Sequence, residues 1–263
     1  MIVHPHPKLN IGLDILRRRE DGFHALESLF VPYKGISDVL EIEEAPRFSV
    51  EIRRYAVVGG RRQEVEVDWD PRTDLTVRAY QLLKKDFQLP PVSIRLEKNI
   101  PVGAGLGGGS ADAVFTLMAL SEMFDLFIPD VMLEIYAAQL GSDCPFFVYD
   151  SPMFVSGRGD NMEEYSAPAL DAFRVELLVP EGISVSTREA YAGIVPEQPE
   201  IPLKERLALP VEEWKGVVVN AFEKSVFASH PELAELKQSL YDKGAVDASM
   251  SGSGSALFGL FAK

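Results

Sequence analysis

The chain has 263 residues, with 40 acidic against 26 basic side chains and a formal net charge of -14. That length suits one large domain or two modest ones, and a hydrophobic fraction of 46% is enough for a proper core. The acidic balance argues against a nucleic-acid binder, which needs a basic face, and no apolar run is long enough to span a bilayer.

The first residues lack the apolar centre of a signal sequence. The single cysteine, Cys144, excludes an internal disulfide and fits a reducing compartment, so a cytoplasmic location is expected. Residues 8–16 alternate strictly: Leu9, Ile11, Leu13 and Ile15 on one side, Lys8, Asn10, Gly12 and Asp14 on the other. This predicts a strand with one buried face. The charged run 17–22 ends in Asp-Gly, a hairpin signal, and residues 23–32 return as strand. Further strands are expected at 38–44, 48–53, 56–58 and 65–69, with Gly59-Gly60 turning the chain between the last two. Residues 75–87 read as a helix capped by Thr73 or Asp74, and 92–100 alternate as a strand.

Next comes Pro101-Val-Gly-Ala-Gly-Leu-Gly-Gly-Gly-Ser-Ala-Asp112, with five glycines in seven residues: Gly103, Gly105, Gly107, Gly108 and Gly109. Glycine takes positive φ and lets other atoms approach the backbone. Such a run turns successive N–H groups toward one point and makes an anion nest. The helix expected over 112–124 has Ala113, Leu117, Leu120 and Phe124 at helical spacing, and its dipole adds positive potential. Nest and helix together read as a phosphate site. Gly103–Gly108 also fits G-x-G-x-x-G, the dinucleotide fingerprint. The acidic residue near the required distance, Asp130, sits beside Pro129 at a helix start rather than at a strand end. No Gly-Lys-Ser/Thr follows, against a P-loop, and no His-Arg-Asp or Asp-Phe-Gly occurs, against a protein kinase. A flexible glycine linker does not normally run straight into an amphipathic helix.

Later helices are expected at 129–140, 187–194, 211–228 and 231–243, and strands at 173–179, 245–250 and 256–261, with a turn at Gly157–Asp160. Many early strands, central helices and strands around late helices make an α+β protein. Two domains are expected, 1–150 with the glycine loop and 151–263.

Several residues invite chemistry, each beside a plainer reading. Asp143 follows a helix end and reads first as a cap, second as a base. Lys8, on the polar side of its strand, reads as solvated. His4 and His6 lack a third nearby ligand and read as ordinary rather than metal-binding. Cys144 reads as a quiet buried thiol. Ser251-Gly-Ser-Gly-Ser255 reads as a hairpin turn, or as a second wall near the phosphates.

These segments carry a resemblance. Pro101–Ala113 resembles the phosphate loop of the GHMP kinases, the superfamily of galactokinase, homoserine kinase, mevalonate kinase and phosphomevalonate kinase. Pro7-Lys-Leu-Asn-Ile-Gly-Leu13 resembles their first motif, and Met250-Ser-Gly-Ser-Gly-Ser-Ala256 their third. Arg18–His24, Leu140–Phe147 and Ser184–Tyr191 are similar to the branch that phosphorylates a cytidylyl alcohol on the non-mevalonate isoprenoid route. The resemblance spans nearly the whole chain.

The resemblance implies a two-domain α+β fold with the active site in the interdomain cleft. It implies ATP as phosphoryl donor, with Mg2+, and the 2-hydroxyl of a cytidine-diphosphate-linked methylerythritol as acceptor. Lys8 and Asp143 match the catalytic pair, Asp143 taking the hydroxyl proton and Lys8 stabilising charge. Pro101, Val102, Gly103, Ala104, Gly105, Leu106, Gly107, Gly108, Gly109, Ser110 and Ala111 match the nucleotide site, with Ser110 on the cation or a phosphate oxygen. Asn10, Phe23, His24 and Tyr191 match acceptor-binding positions: Phe23 and Tyr191 would sandwich the cytosine, and His24 would bond its edge. The implied partner is that small molecule, with no nucleic acid and no membrane; a homodimer is left open, as are the metal's ligands.

The chain departs from the pattern at Pro7 for alanine, Ala111 for serine, Phe23 for tyrosine and Cys144 for valine. None of these removes a charged group or a loop glycine. Two other readings stand beside this one: another small-molecule kinase of the mevalonate or homoserine type, and a non-catalytic nucleotide sensor. Retention of Lys8 and Asp143 argues against the sensor, and a nicotinamide dehydrogenase is more distant still.

Overall fold

The computed structural model describes residues 1–263. Its strands are β1 (Ile2–Val3), β2 (Lys8–Arg18), β3 (His24–Pro32), β4 (Val39–Glu44), β5 (Ser49–Val58), β6 (Arg61–Val65), β7 (Val92–Lys98), β8 (Met153–Gly157), β9 (Asn161–Glu164), β10 (Phe173–Leu178), β11 (Asp247–Met250) and β12 (Leu257–Ala262). Its helices are α1 (Leu75–Phe87), α2 (Gly108–Met123), α3 (Asp130–Ala138), α4 (Phe146–Tyr149), α5 (Thr187–Ala192), α6 (Leu203–Leu207), α7 (Glu223–Ser229) and α8 (Pro231–Asp242). No helix is long and apolar enough to cross a membrane.

Two compact units form, and neither is continuous in sequence. The first holds Met1–Lys8, Pro32–Val102 and Gly107–Asp150; the second holds Leu9–Val31, Gly103–Leu106 and Ser151–Lys263. A single break near residue 150 does not describe this division. β3 pairs antiparallel with β8, and β8 with β9, so the early β2–β3 hairpin joins a sheet made with later chain. Nothing local signals that pairing, because a strand alternates in the same way whichever partner it takes.

The first unit is built on a five-stranded sheet of order β1-β4-β7-β5-β6, antiparallel except where β5 runs parallel to β7. Alternation sorts its faces. Leu40, Ile42, Ile94 and Leu96 are buried, while Glu41 and Glu43 pair with Arg95 on the other side. The helices α1 to α4 pack together, with α2 against β4. α2 buries Ala113, Val114, Leu117 and Leu120 completely, as befits its central place. Asp74 caps α1 by accepting the Thr76 N–H, which decides between the two expected caps.

The second unit has a four-stranded sheet, β2-β3-β8-β9, and a three-stranded one, β10-β12-β11. Its core gathers Leu13 and Ile15 with Phe222, Val226, Leu233 and Leu257, among others. Three local expectations shift. The short strands at 48–53 and 56–58 are one strand, β5, and the next lies at 61–65 rather than 65–69. The helix expected at 211–228 survives only as a short 3-10 turn and α7, because Gly216 turns the chain at φ +76°. α6 and α4 were not expected: five- and four-residue helices carry too little periodicity to read.

Candidate active site

The glycine stretch alternates its backbone. Gly103, Gly105 and Gly107 sit at φ +72°, +76° and +71°, a region side chains rarely adopt. α2 then starts at Gly108, with Gly107 in the cap position and no side-chain cap. The helix thus begins four residues before the expected Asp112. Glycines carry no apolar pattern, so periodicity could not detect that first turn. The uncapped N–H groups there suit an anion.

Within the first unit, Lys8 and Asp143 come together. Lys8 Nζ lies 3.7 Å from Asp143 Oδ2. A Cβ placed on Gly107 would stand 3.3 Å from both Lys8 Cε and Phe147 Cζ, so the loop's last positive-φ glycine rests on the lysine stem. The expectation of a solvated Lys8 is overturned: it is 3% exposed. The polar side of its strand is buried as well, with Asn10 at 2% and Asp14 at 4%. Burial pushes the Lys8 ammonium below its ordinary 10.5, and the charge of Asp143 opposes that shift. The cap reading of Asp143 is overturned too. Its carboxylate, about a third exposed, faces Lys8 instead of a helix end.

Ser110 and Cys144 adjoin this pair. Burial pushes the Cys144 thiol up to about 11, a shift that its hydrogen bond to Ser110 only moderates. The quiet-thiol reading therefore stands. His6 is buried, with Nε2 2.9 Å from Asp150 Oδ1 and its ring edge-on to Phe115. No group of three or more His, Cys, Asp or Glu side chains gathers to hold a metal.

In the second unit, the Ser251–Ser255 segment is a hairpin turn, the first of its two readings. It turns the β11–β12 hairpin, whose last pair is Met250 with Leu257. It also presses on the glycine stretch: a Cβ on Gly105 would lie 2.1 Å from the Ser251 carbonyl oxygen. Ser251 Oγ donates to the Gly105 carbonyl at 3.3 Å and accepts the Asn10 N–H at 3.2 Å. The Asn10 amide donates to Ser28 Oγ at 3.0 Å, so its Nδ2 is engaged within the protein.

The three aromatic-site candidates also lie in this unit. Phe23 is 57% exposed, and the Arg158 guanidinium stands 5.2 Å from its ring centre. The ring that stacks on Tyr191 is that of His24, at 5.0 Å and 28°. Phe222 meets Tyr191 edge-on at 4.9 Å. Arg158 was not foreseen, since the turn at Gly157–Asp160 gave no hint of which ring it would cover.

Two family models match: the GHMP kinases N terminal domain over residues 74–151 and the GHMP kinases C terminal domain over 211–263. A 4-diphosphocytidyl-2-C-methyl-D-erythritol kinase of Bacteroides thetaiotaomicron is 45% identical over 99% of this chain and 92% of its own. The chain belongs to the GHMP kinases. The kinase of the same name from Nitratidesulfovibrio vulgaris is 34% identical, covering 97% of this chain and 87% of its own. A crystal structure of 4-(cytidine 5'-diphospho)-2C-methyl-D-erythritol kinase superposes with a TM-score of 0.80 at 31% identity, over 99% of this chain and 90% of the other. A mevalonate kinase, at 11% identity and a TM-score of 0.69, shares the fold. This GHMP kinase accordingly has the family's two-domain α+β fold and is a phosphotransferase that uses ATP.

Proposed function

We propose that this kinase moves the γ-phosphoryl group of ATP to the 2-hydroxyl of 4-diphosphocytidyl-2-C-methyl-D-erythritol, and that it does so in the cytoplasm. The observation that carries the chemistry is the buried Lys8 facing Asp143 beside Gly107. The acceptor is supported by the relatives that bear its name at 45% identity.

Phosphoryl transfer needs alignment and charge neutralisation more than covalent help. The N–H groups of the glycine stretch from Pro101 to Ala111 cradle the phosphates. The acceptor hydroxyl sits against Asp143, which takes its proton. The freed oxygen bonds to the γ-phosphorus, the bond from phosphorus to the β,γ-bridging oxygen breaks, and ADP leaves. Lys8 holds the hydroxyl oxygen and meets the charge that develops there.

The oxygen donors near Cys144, the Ser110 hydroxyl and the Asp143 carboxylate, fit a Mg2+ ion brought in mainly on the nucleotide. Bound there, Mg2+ would supply neutralisation of the phosphate charge. For the acceptor, cytosine takes the place His24 now holds on Tyr191, His24 turns to the base's edge, and Phe23 covers the other face. Asn10 ties its own strand to β3 by donating to Ser28 Oγ.

The test is ADP release, with 31P NMR of the product, over a panel of three alcohols: the cytidylyl alcohol, mevalonate and homoserine. Turnover with the first alone is expected. Turnover with either of the others alone would replace the acceptor, and no turnover with any would favour the sensor reading.

A further inference from the structure

Three ionisable side chains are buried together at the two feet of the glycine stretch, and the chemistry above does not use them. Lys98 ends β7, Asp38 precedes β4, and Asp112 is the fifth residue of α2. Their exposures are 3%, 0% and 1%. The Lys98 ammonium donates to Asp38 Oδ2 and to Asp112 Oδ2. Asp38 Oδ1 accepts the backbone N–H of Ile100 at 2.7 Å and that of Asn99. A Cβ on Gly108 would lie 2.7 Å from Ile100 Cγ2 and 3.5 Å from Lys98 Nζ, so the first residue of α2 rests directly on this cluster.

Stability does not explain the cluster well. Desolvating three charges offsets much of their attraction, and apolar side chains of similar volume often serve as well. One ammonium also cannot balance two carboxylates. Burial, together with the neighbouring Asp38, drives the Asp112 carboxyl well above the usual carboxylate range despite Lys98, and its Oδ1 is buried without a partner. What the cluster does supply is geometry. Asp38 grips the end of β7 through two backbone N–H groups, and Lys98 ties that grip to α2. The strand end and the helix start are the two anchors between which the glycine stretch hangs.

We infer that Lys98 is a positioning residue for the nucleotide: held between Asp38 and Asp112, it sets the first turn of α2 against the end of β7. It thereby fixes where the N–H groups of Gly107 to Ser110 meet the phosphates. This rests on the nucleotide site proposed above. A polar link gives one register, where an apolar contact would let the helix slide, and small displacements of an aligned site cost large factors in rate.

The experiment compares wild type with Lys98→Met, Asp112→Asn and Gly107→Val, each first shown to be folded by circular dichroism. Affinity for a non-hydrolysable ATP analogue is measured by calorimetry, and KM for ATP and for the acceptor is measured separately. Lys98→Met is expected to weaken the analogue and raise KM for ATP by about tenfold, with the acceptor KM within about twofold. A merely structural role would lower Tm and leave that split absent. If Lys98→Met does not fold, Asp112→Asn, which keeps the shape, carries the same criterion. Lost affinity in Gly107→Val with none lost in the folded Lys98 or Asp112 variant would overturn the positioning role alone. Unchanged affinity in both would overturn the nucleotide site with it.

Discussion

Lys8 is an ordinary lysine by its place in an alternating strand and an unusual one by its surroundings. It is buried, its pKa is lowered, and its carboxylate partner stands 3.7 Å away. If Asp143 is the base, Asp143→Asn cuts kcat by about a hundredfold or more, the scale of a lost general base. The affinity of an ATP analogue should survive, because the proposed phosphate cradle is the glycine stretch and not Asp143. Near-normal turnover in the folded variant would remove Asp143 from the chemistry.

A second carboxylate makes a prediction about stability. Asp247 is buried in β11, and burial raises its pKa from 3.8 to about 6, with Lys237 and Tyr241 opposing. The folded state therefore holds this proton more tightly than the unfolded chain. The stability it contributes is complete below pH 3.8 and is lost as pH climbs through about 6. Above that, a buried charge remains. Asp247→Asn should raise Tm at pH 8 by about 2–4 °C, the scale of 1 kcal/mol in a chain of this size. The lost attraction to the Lys237 ammonium limits the gain. Melts at pH 4 should show the difference gone; an equal gain at both pH values would mean that charge is not the cause.

At the scale of elements, the glycine stretch is where sequence and structure agree most closely. Positive φ was expected from composition and is found at every second residue from Gly103 to Gly107. Gly107→Val places a β-branched side chain in a left-handed conformation, against Lys8 and Phe147. It should weaken an ATP analogue by about tenfold or more while the fold persists, since a Cβ there meets only side-chain atoms of Lys8 and Phe147 and no backbone. Titration calorimetry checks this, and wild-type affinity would refute the cradle. The helix expected at 211–228 shows the opposite case. Gly216 was there to be read, but the apolar spacing around it outweighed one glycine.

At the scale of the molecule, chain order and spatial order part company. Leu9–Val31 packs with residues after Ser151, so the fragment 151–263 lacks the hairpin that its strand β8 pairs with. Expressed alone, that fragment should show no cooperative thermal transition. A sharp transition would mean the late chain carries a complete core. The proposed acceptor site is assembled at this scale as well, from His24 on β3 and Tyr191 on α5. Tyr191→Ala should raise the acceptor KM by about 10- to 150-fold, the equivalent of stacking energies of about 1–3 kcal/mol, with KM for ATP little changed. His24→Ala should narrow the preference for CMP over UMP as competitors. Equal competition by both in the wild type would dismiss the cytidine pocket.

The sequence by itself was enough for whatever a few neighbouring residues control. Glycine spacing set the left-handed backbone, Asp-Gly and Gly-Gly set turns, and the motifs around Lys8, Gly107 and Ser251 identified the family before any coordinate. Those features are local steric preferences, and a short segment carries them wherever it folds. Only the tertiary structure decided that both faces of β2 lose water, that Asp143 faces a lysine and not a helix end, and that His24 lies on Tyr191. It alone brought Lys98 between Asp38 and Asp112, the former 60 residues away in the chain. Burial and pairing depend on which distant segment covers a side chain, and an alternating strand reads the same whether water or another sheet lies against its polar face.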